Sequence, residues 1–379
     1  MSDENKSSNK GLIVGLGAIV VVAIVLYISG VFTPTPKEAS EVPKEEATAA
    51  DNVGFVYVSP IGDAGWTYQH DLGRLQLEKE TGVTTSYVEN VAEGADAERV
   101  IREMAKRGDK VVFATSFGYM NYALQVSKSF SDTAFVHATG YKMGENMGLV
   151  NARFYEGRYL TGVIAGEMTK SNVMGYVAAF PIPEVLQGIN AFIKGARSVN
   201  PDAELRVIWV NSWYDPGKER EAALTLMSQG ADVVTQHTDS TAVVQAAEEQ
   251  GKYAFGYHSD MSKYGPNAHL TAATHHWGDY YVKTVKEVQA GTWKPGNVWG
   301  GYAEGMVALA PLNKAIPEEL QNRIREMEKQ MTAGTLHAFE GPVVDQDGKE
   351  VVAAGQTMSD EDLSGMNYYL QGVVSKIPN

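Results

Sequence analysis

Short apolar runs alternate with amphipathic stretches along most of this chain, and the alternation restarts once. Between residues 52 and about 151 the β-branched and aromatic runs predict strands over 53–58, 83–88, 110–114, 134–138 and 148–152. Helical periodicity between them predicts helices over 65–80, 95–107 and 119–130. A helix over 156–169 opens a second series: strand 173–178, helix 184–199, strand 205–210, helix 217–229, strand 233–236, helix 241–250 and strand 253–257. Strands separated by helices of this length require right-handed βαβ crossovers and parallel sheets. Two successive series imply an α/β chain with two Rossmann-like lobes rather than one oversized sheet. The remainder supplies a strand over 270–275, a helix over 278–290, an irregular Gly/Trp-rich stretch over 293–301 and a helix over 317–333. In the tail, Asp345-Gln346-Asp347-Gly348 between Val343-Val344 and Val351-Val352 signals a hairpin.

The amino-terminal pattern is different. Residues 11–32 carry no charge after a polar start with Lys6 and Lys10. About 20 apolar residues suffice to cross a hydrocarbon core, and a signal-peptide core is shorter and ends in a small-residue cleavage site. Residues 1–33 therefore read as an uncleaved signal-anchor with its lysines cytoplasmic; cleavage, giving a secreted or periplasmic protein, is the second reading. Residues 34–51, rich in Pro, Glu, Ala, Thr and Lys, read as a flexible tether. The expected organisation is then lobe 1 over 52–155, lobe 2 over 156–257, and a segment 258–379 that contributes hinge crossovers and completes both lobes.

Composition narrows the chemistry. A formal net charge of -14 argues against a nucleic-acid surface and suits an exported protein. The absence of cysteine excludes disulfides, thiolate nucleophiles, Cys-ligated metals and lipid-modified cysteine.

Two tryptophans stand at equivalent places. Trp66 follows the first strand within Asp63-Ala64-Gly65-Trp66, where Asp63 is the expected helix cap. Trp213 follows the strand 205–210 within Trp213-Tyr214-Asp215-Pro216, where Asp215 caps a helix with Pro at its first position. Ligands of open α/β sheets bind outside the carboxyl ends of the strands. The two indoles would face one another across a cleft and hold a flat ring, each stack contributing roughly 1–3 kcal/mol. The competing reading makes each an ordinary core tryptophan. Polar residues at other strand ends would orient the solute: Ser116 and Phe117, Glu184, His237 with Thr238 and Asp239, His258 with Asp260, and His275 with His276. His275 and His276 should point to opposite faces of a strand, and no His-Glu-x-x-His spacing occurs, so no metal is expected. No nucleophile elbow, Walker loop or complete dinucleotide fingerprint is present, so neither catalysis nor a cofactor is expected. Asp71 and Glu78 read as solvated residues on a helix surface.

The run of Asp63-x-Gly65-Trp66, Phe154-x-Glu156-Gly157-x-Tyr159-Leu160-x-Gly162, Gly195-Ala196-x-x-x-Asn200-Pro201, Gly230-Ala231-Asp232-Val233 and Gly256-Tyr257-His258-Ser259-Asp260 resembles the basic membrane protein family of ABC-transporter solute receptors. The resemblance covers residues 52 to the carboxy terminus. It implies a type I periplasmic-binding fold closing on a purine, an ABC permease with its ATPase as partner, and an extracytoplasmic location. Trp66 and Trp213 stand where the family has stacking phenylalanines. His258-Ser259-Asp260 stands where it reads Asp-Ser-Asp, and His275 about where it has a lysine, positions that contact a sugar. These departures shift the expected ligand from a nucleoside toward a purine base such as adenine or hypoxanthine. The alternatives are a nucleoside hydrolase acting in the same cleft and a ligand sensor for a membrane signalling partner.

Overall fold

The computed structural model describes residues 52–378. The apolar run 11–32 and the tether lie outside the described residues. Among those described, no helix is long and apolar enough to cross a membrane.

Two six-stranded sheets share one layout. The first is built from β1 (Asn52–Val56), β2 (Thr84–Val88), β3 (Val111–Ala114), β4 (Ala134–Ala138), β5 (Met147–Ala152) and, late in the chain, β11 (Asn297–Gly300). Their order is β2-β1-β3-β4-β5-β11, all parallel. The second uses β6 (Val173–Ala178), β7 (Glu204–Trp209), β8 (Val233–His237), β9 (Tyr253–His258), β10 (His269–His275) and β12 (Val307–Leu309), in the order β7-β6-β8-β9-β10-β12 with β12 antiparallel. Every residue of β3, β4, β8 and β10 is buried, as expected of parallel strands covered on both faces. The edge strand β2 instead reads TTSYV and is largely open to solvent.

The helices of the first lobe include α1 (Trp66–Thr81), α2 (Ala95–Arg107), α3 (Met120–Ser127) and the late α8 (Gly278–Gln289), which packs on α1. The second lobe holds α4 (Phe154–Met168), α5 (Pro183–Val199), α6 (Pro216–Ser228), α7 (Ala242–Glu249) and α9 (Glu318–Thr332). The chain passes between lobes three times: from β5 into α4, from β10 into α8, and from β11 to β12. The glycines at the end of the Phe154 motif and in Gly195-Ala196 have a packing cause. A Cβ on Gly162 would run into the Phe192 carbonyl, and one on Gly195 into the Tyr159 carbonyl, so α4 and α5 approach closely only because both are glycine.

The tail forms the hairpin of β13 (Val343–Val344) and β14 (Glu350–Val352), with Gly348 at φ 86° in its turn. It ends in α10 (Asp360–Ser364) and a segment laid on α5, where Asn190 donates to the Tyr368 carbonyl (2.8 Å) and accepts from the Leu370 amide (2.9 Å).

Three expectations need correcting. The irregular stretch 293–301 contains β11, which pairs with β5; its Trp299 and Gly300 disguised an edge strand. Asp71 is buried rather than solvated: its carboxylate accepts from Arg74 Nε (2.5 Å) and from Tyr57 Oη (3.3 Å), while Glu78 is half-buried and also meets Arg74 (3.1 Å). The helix expected over 119–130 is a 3-10 turn, Phe117–Tyr119, followed by the shorter α3.

Candidate functional site

Both sheets reverse their strand order at one point, between β1 and β3 in the first lobe and between β6 and β8 in the second. Such a switch point opens a crevice beyond the carboxyl ends of the strands. The two crevices face one another across a slot whose cavity volume is only about 20 Å³. That is far below the roughly 300–1,000 Å³ typical of small-molecule sites, so the slot is nearly closed.

The first lobe contributes Val58 and Trp66 from beyond β1, Ser116 and Phe117 from beyond β3, and Thr139 from beyond β4. Asp63 shapes this wall from behind. It sits in a 3-10 turn rather than at the formal cap position, yet it caps α1: its carboxylate accepts from the amides of Gly65 (2.7 Å), Thr67 (3.0 Å) and Tyr68 (3.1 Å) and from Ser59 Oγ (2.7 Å). Burial pushes Asp63 up to about 6 although those donors pull the other way. Trp66 is held by its Nε1, which donates to the Thr115 carbonyl (2.6 Å), and by edge contacts with His70 (ring centroids 4.2 Å), His258 (5.2 Å) and Trp277 (5.4 Å).

The second lobe contributes Glu184, Trp213, His237, Asp239 and His258. Glu184 Oε1 lies 3.3 Å from His237 Nε2, and Asp239 Oδ1 lies 3.5 Å from His258 Nε2, so two carboxyl–imidazole pairs line this wall. Burial pushes Glu184 up to about 8, and its second oxygen has no protein partner. Asp239 is pushed well above the carboxylate range by burial and then by Asp63, Glu219, Glu184 and Glu93. Burial lowers His237 and His258 well below the usual imidazole value; nearby Arg158 lowers His237 further, and His275, His237 and Arg158 act on His258. Along this wall burial thus favours the neutral forms of these acids and imidazoles, each able to donate and to accept. Arg158 is fully buried beneath it. Its Nη1 donates to Thr235 Oγ1 (2.9 Å), its Nη2 donates to the Gln236 carbonyl, and its guanidinium lies 3.5 Å over the Tyr257 ring.

Glu219 of α6 fixes the two loops that carry Trp213 and Asp239. Its Oε1 accepts from the Asp215 amide (2.9 Å), and its Oε2 accepts from Thr238 Oγ1 (2.8 Å) and Ser240 Oγ (2.6 Å). Asp215 caps α6 as expected, accepting from the Lys218 amide (3.0 Å).

Several non-glycine residues at the strand ends adopt left-handed backbone: Ala64 (φ 62°), Thr139 (φ 65°), Asn211 (φ 52°) and His258 (φ 67°). Each costs roughly 1–2 kcal/mol, and such strain concentrates where side chains are aimed for function.

Of the residues singled out in the sequence, Trp66, Ser116, Phe117, Glu184, Trp213, His237, Asp239 and His258 border the slot. Both indoles border the slot, and no ring contact joins them among the described residues. Three are placed elsewhere. Asp63 stands behind the wall with its oxygens engaged in capping. Asp260 is on the surface, where it accepts from the Ser262 amide (2.9 Å) and faces His269 at 4.0 Å. His275 lies one layer deeper, its Nδ1 2.9 Å from His258 Nδ1. His276 is exposed, on the opposite side from His275. Val58, Thr139 and, at the rim, Glu93 were not singled out; a valine, a threonine and a glutamate in a polar loop carry no distinguishing signal. No group of three or more metal-ligating side chains occurs among the described residues.

The family model for Bmp, the PnrA-like ABC transporter substrate-binding proteins, matches residues 50–338. A purine-binding protein of Brucella abortus (strain 2308) is 52% identical over 328 residues, covering 86% of this chain and 93% of that protein. A putative ABC transporter glucose-binding protein of Haloferax volcanii is 38% identical over 330 residues, covering 86% and 81% respectively. Among solved structures, an ABC transporter solute-binding protein from Aeropyrum pernix K1 superposes with a TM-score of 0.67 at 16% identity, covering 83% of this chain and 97% of that one, a likeness of fold alone.

Proposed function

The chain belongs to the Bmp family of ABC-transporter substrate-binding proteins, a family of extracytoplasmic solute receptors rather than enzymes, and from that premise we propose that it captures a purine base between Trp66 and Trp213. What supports this reading above all is the slot itself, narrow, with an indole from each lobe on its border. A purine ring presents two π faces and an edge of alternating donors and acceptors. The faces suit the indoles, and the edge suits the neutral Glu184 and Asp239 with their paired imidazoles.

Replacement of the family's acidic sugar contact by His258, which does border the slot, favours a base over a nucleoside. The name of the Brucella relative, purine-binding protein, agrees with this ligand class. Delivery follows from hinge closure around the solute and presentation to a permease, with no chemical step. Anchoring by residues 11–32 completes the proposal.

Calorimetric titration with adenine, hypoxanthine, adenosine and glucose tests it. Adenine or hypoxanthine should bind at least tenfold more tightly than adenosine, with no heat from glucose. Binding of glucose alone would refute the purine reading in favour of the ligand named for the Haloferax relative.

A further inference from the structure

Glu93 lies in the first lobe, in the loop between β2 and α2, and does not border the slot. Its Oε1 nevertheless gathers three donors. Ser116 Oγ (2.6 Å) and the Gly118 amide (2.9 Å) belong to its own lobe. The third, Trp213 Nε1 (3.2 Å), reaches across from the other. The carboxylate packs directly on Gly118: a Cβ there would lie 2.6 Å from Glu93 Oε2 and 2.7 Å from Oε1, so a side chain at that position would push the carboxylate out of this seat.

The contact also propagates. The Trp213 carbonyl accepts from the Asp239 amide (2.9 Å), and the Asp239 backbone abuts Gly65 of the first lobe, while Ser259 Oγ donates to the Ala64 carbonyl beside it. One carboxylate thus connects the Ser116–Gly118 loop to the Trp213–Asp239 pair.

We propose that Glu93 is a positioning residue that latches the lobes closed by holding the Trp213 indole over the slot. The inference rests on the reading that the solute occupies this cleft. Glu93 is exposed at the rim, so the latch is modest and acts on reopening rather than on encounter.

Stopped-flow fluorescence with adenine as probe tests it on Glu93→Ala, Glu93→Gln and Trp213→Phe. Glu93→Ala should raise the dissociation rate about fivefold to tenfold, near the effect of one ordinary intramolecular hydrogen bond, with the association rate changed less than about twofold. Glu93→Gln keeps an acceptor oxygen and should restore most of the loss. Because Trp213→Phe removes the same bond, the Glu93→Ala/Trp213→Phe double variant should dissociate no faster than the faster single variant. An unchanged dissociation rate in Glu93→Ala, or strictly additive effects, would overturn the latch while leaving the ligand reading intact.

If adenine fails to bind the unmodified protein, the ligand reading falls and the latch is judged without ligand. The chain has no cysteine, so spin labels at Lys128→Cys and Glu221→Cys, exposed positions on opposite lobes, report the interlobe distance directly. Glu93→Ala should then reduce the short-distance population at least twofold; identical distributions would overturn the proposal.

Discussion

The two walls of the slot share a topology and differ in chemistry. Val58, Trp66, Ser116, Phe117 and Thr139 of the first lobe include no acidic or basic side chain, whereas four of the five facing residues, Glu184, His237, Asp239 and His258, carry one. One lobe gives shape and the other gives protons. The same strand-end positions serve both, so the division lies in the side chains that each loop presents and not in the fold. Affinity for a flat ring should then be shared between the lobes, while pH dependence should belong to the second alone.

The largest effect should come from preventing the walls from meeting. A Cβ on Gly65 would collide with the Asp239 carbonyl, so Gly65→Ala should weaken adenine binding at least a hundredfold, measured by calorimetry, with the melting temperature within a few degrees of the parent. Next are the indoles. Trp66→Ala and Trp213→Ala should each cost at least tenfold in affinity, and the two should separate on stability. Trp66 is 7% exposed among four aromatic neighbours, so its loss should lower the melting temperature as core truncations do, whereas half-buried Trp213 should leave it nearly unchanged.

A smaller effect separates the chemistry of the walls. If Glu184 works as a neutral acid, Glu184→Gln should keep affinity within about threefold at pH 6. It should also remove the weakening that the parent shows as pH rises through about 8. Ser116→Ala, on the opposite wall, should leave that pH profile in place.

The smallest effect concerns the free protein. Glu184 has a folded-state value of about 8 against an ordinary 4.5, so its folded form binds the extra proton between those limits. Its stabilising contribution is complete below pH 4.5 and lost as pH rises through 8. The lowered histidines His70, His237, His258 and His275 act in the opposite sense, their contribution being present above pH 6.5 and lost as pH falls below it. Melting temperature should therefore decline on both sides of a maximum near pH 6, and Glu184→Gln should flatten only the alkaline side.

The fold was legible because fully buried parallel strands write themselves as continuous apolar runs, as in Val111–Ala114, and because helices between them carry a regular period. β11 was not legible, since Asn297–Gly300 is a short edge strand whose pairing depends on a chain segment some 150 residues away. Within the site, strand-end logic found residues such as Glu184 and Asp239 that the topology brings together. It could not tell them from Asp260, which caps a surface turn, because a cap and a ligand contact use the same residue types at the same kind of position. His275 marks another limit: it is near enough to the cleft to be suspected, yet its ring supports His258 from behind. Glu93 belongs to a polar loop with nothing to mark it, and its role exists only once both lobes are in place.

The most direct test of the central claim is a crystal structure of the protein grown with adenine. The account expects one flat ring in the slot, its faces against Trp66 and Trp213 and its edge within hydrogen-bonding distance of Glu184 and Asp239. A ring bound elsewhere, or stacked on neither indole, would contradict it.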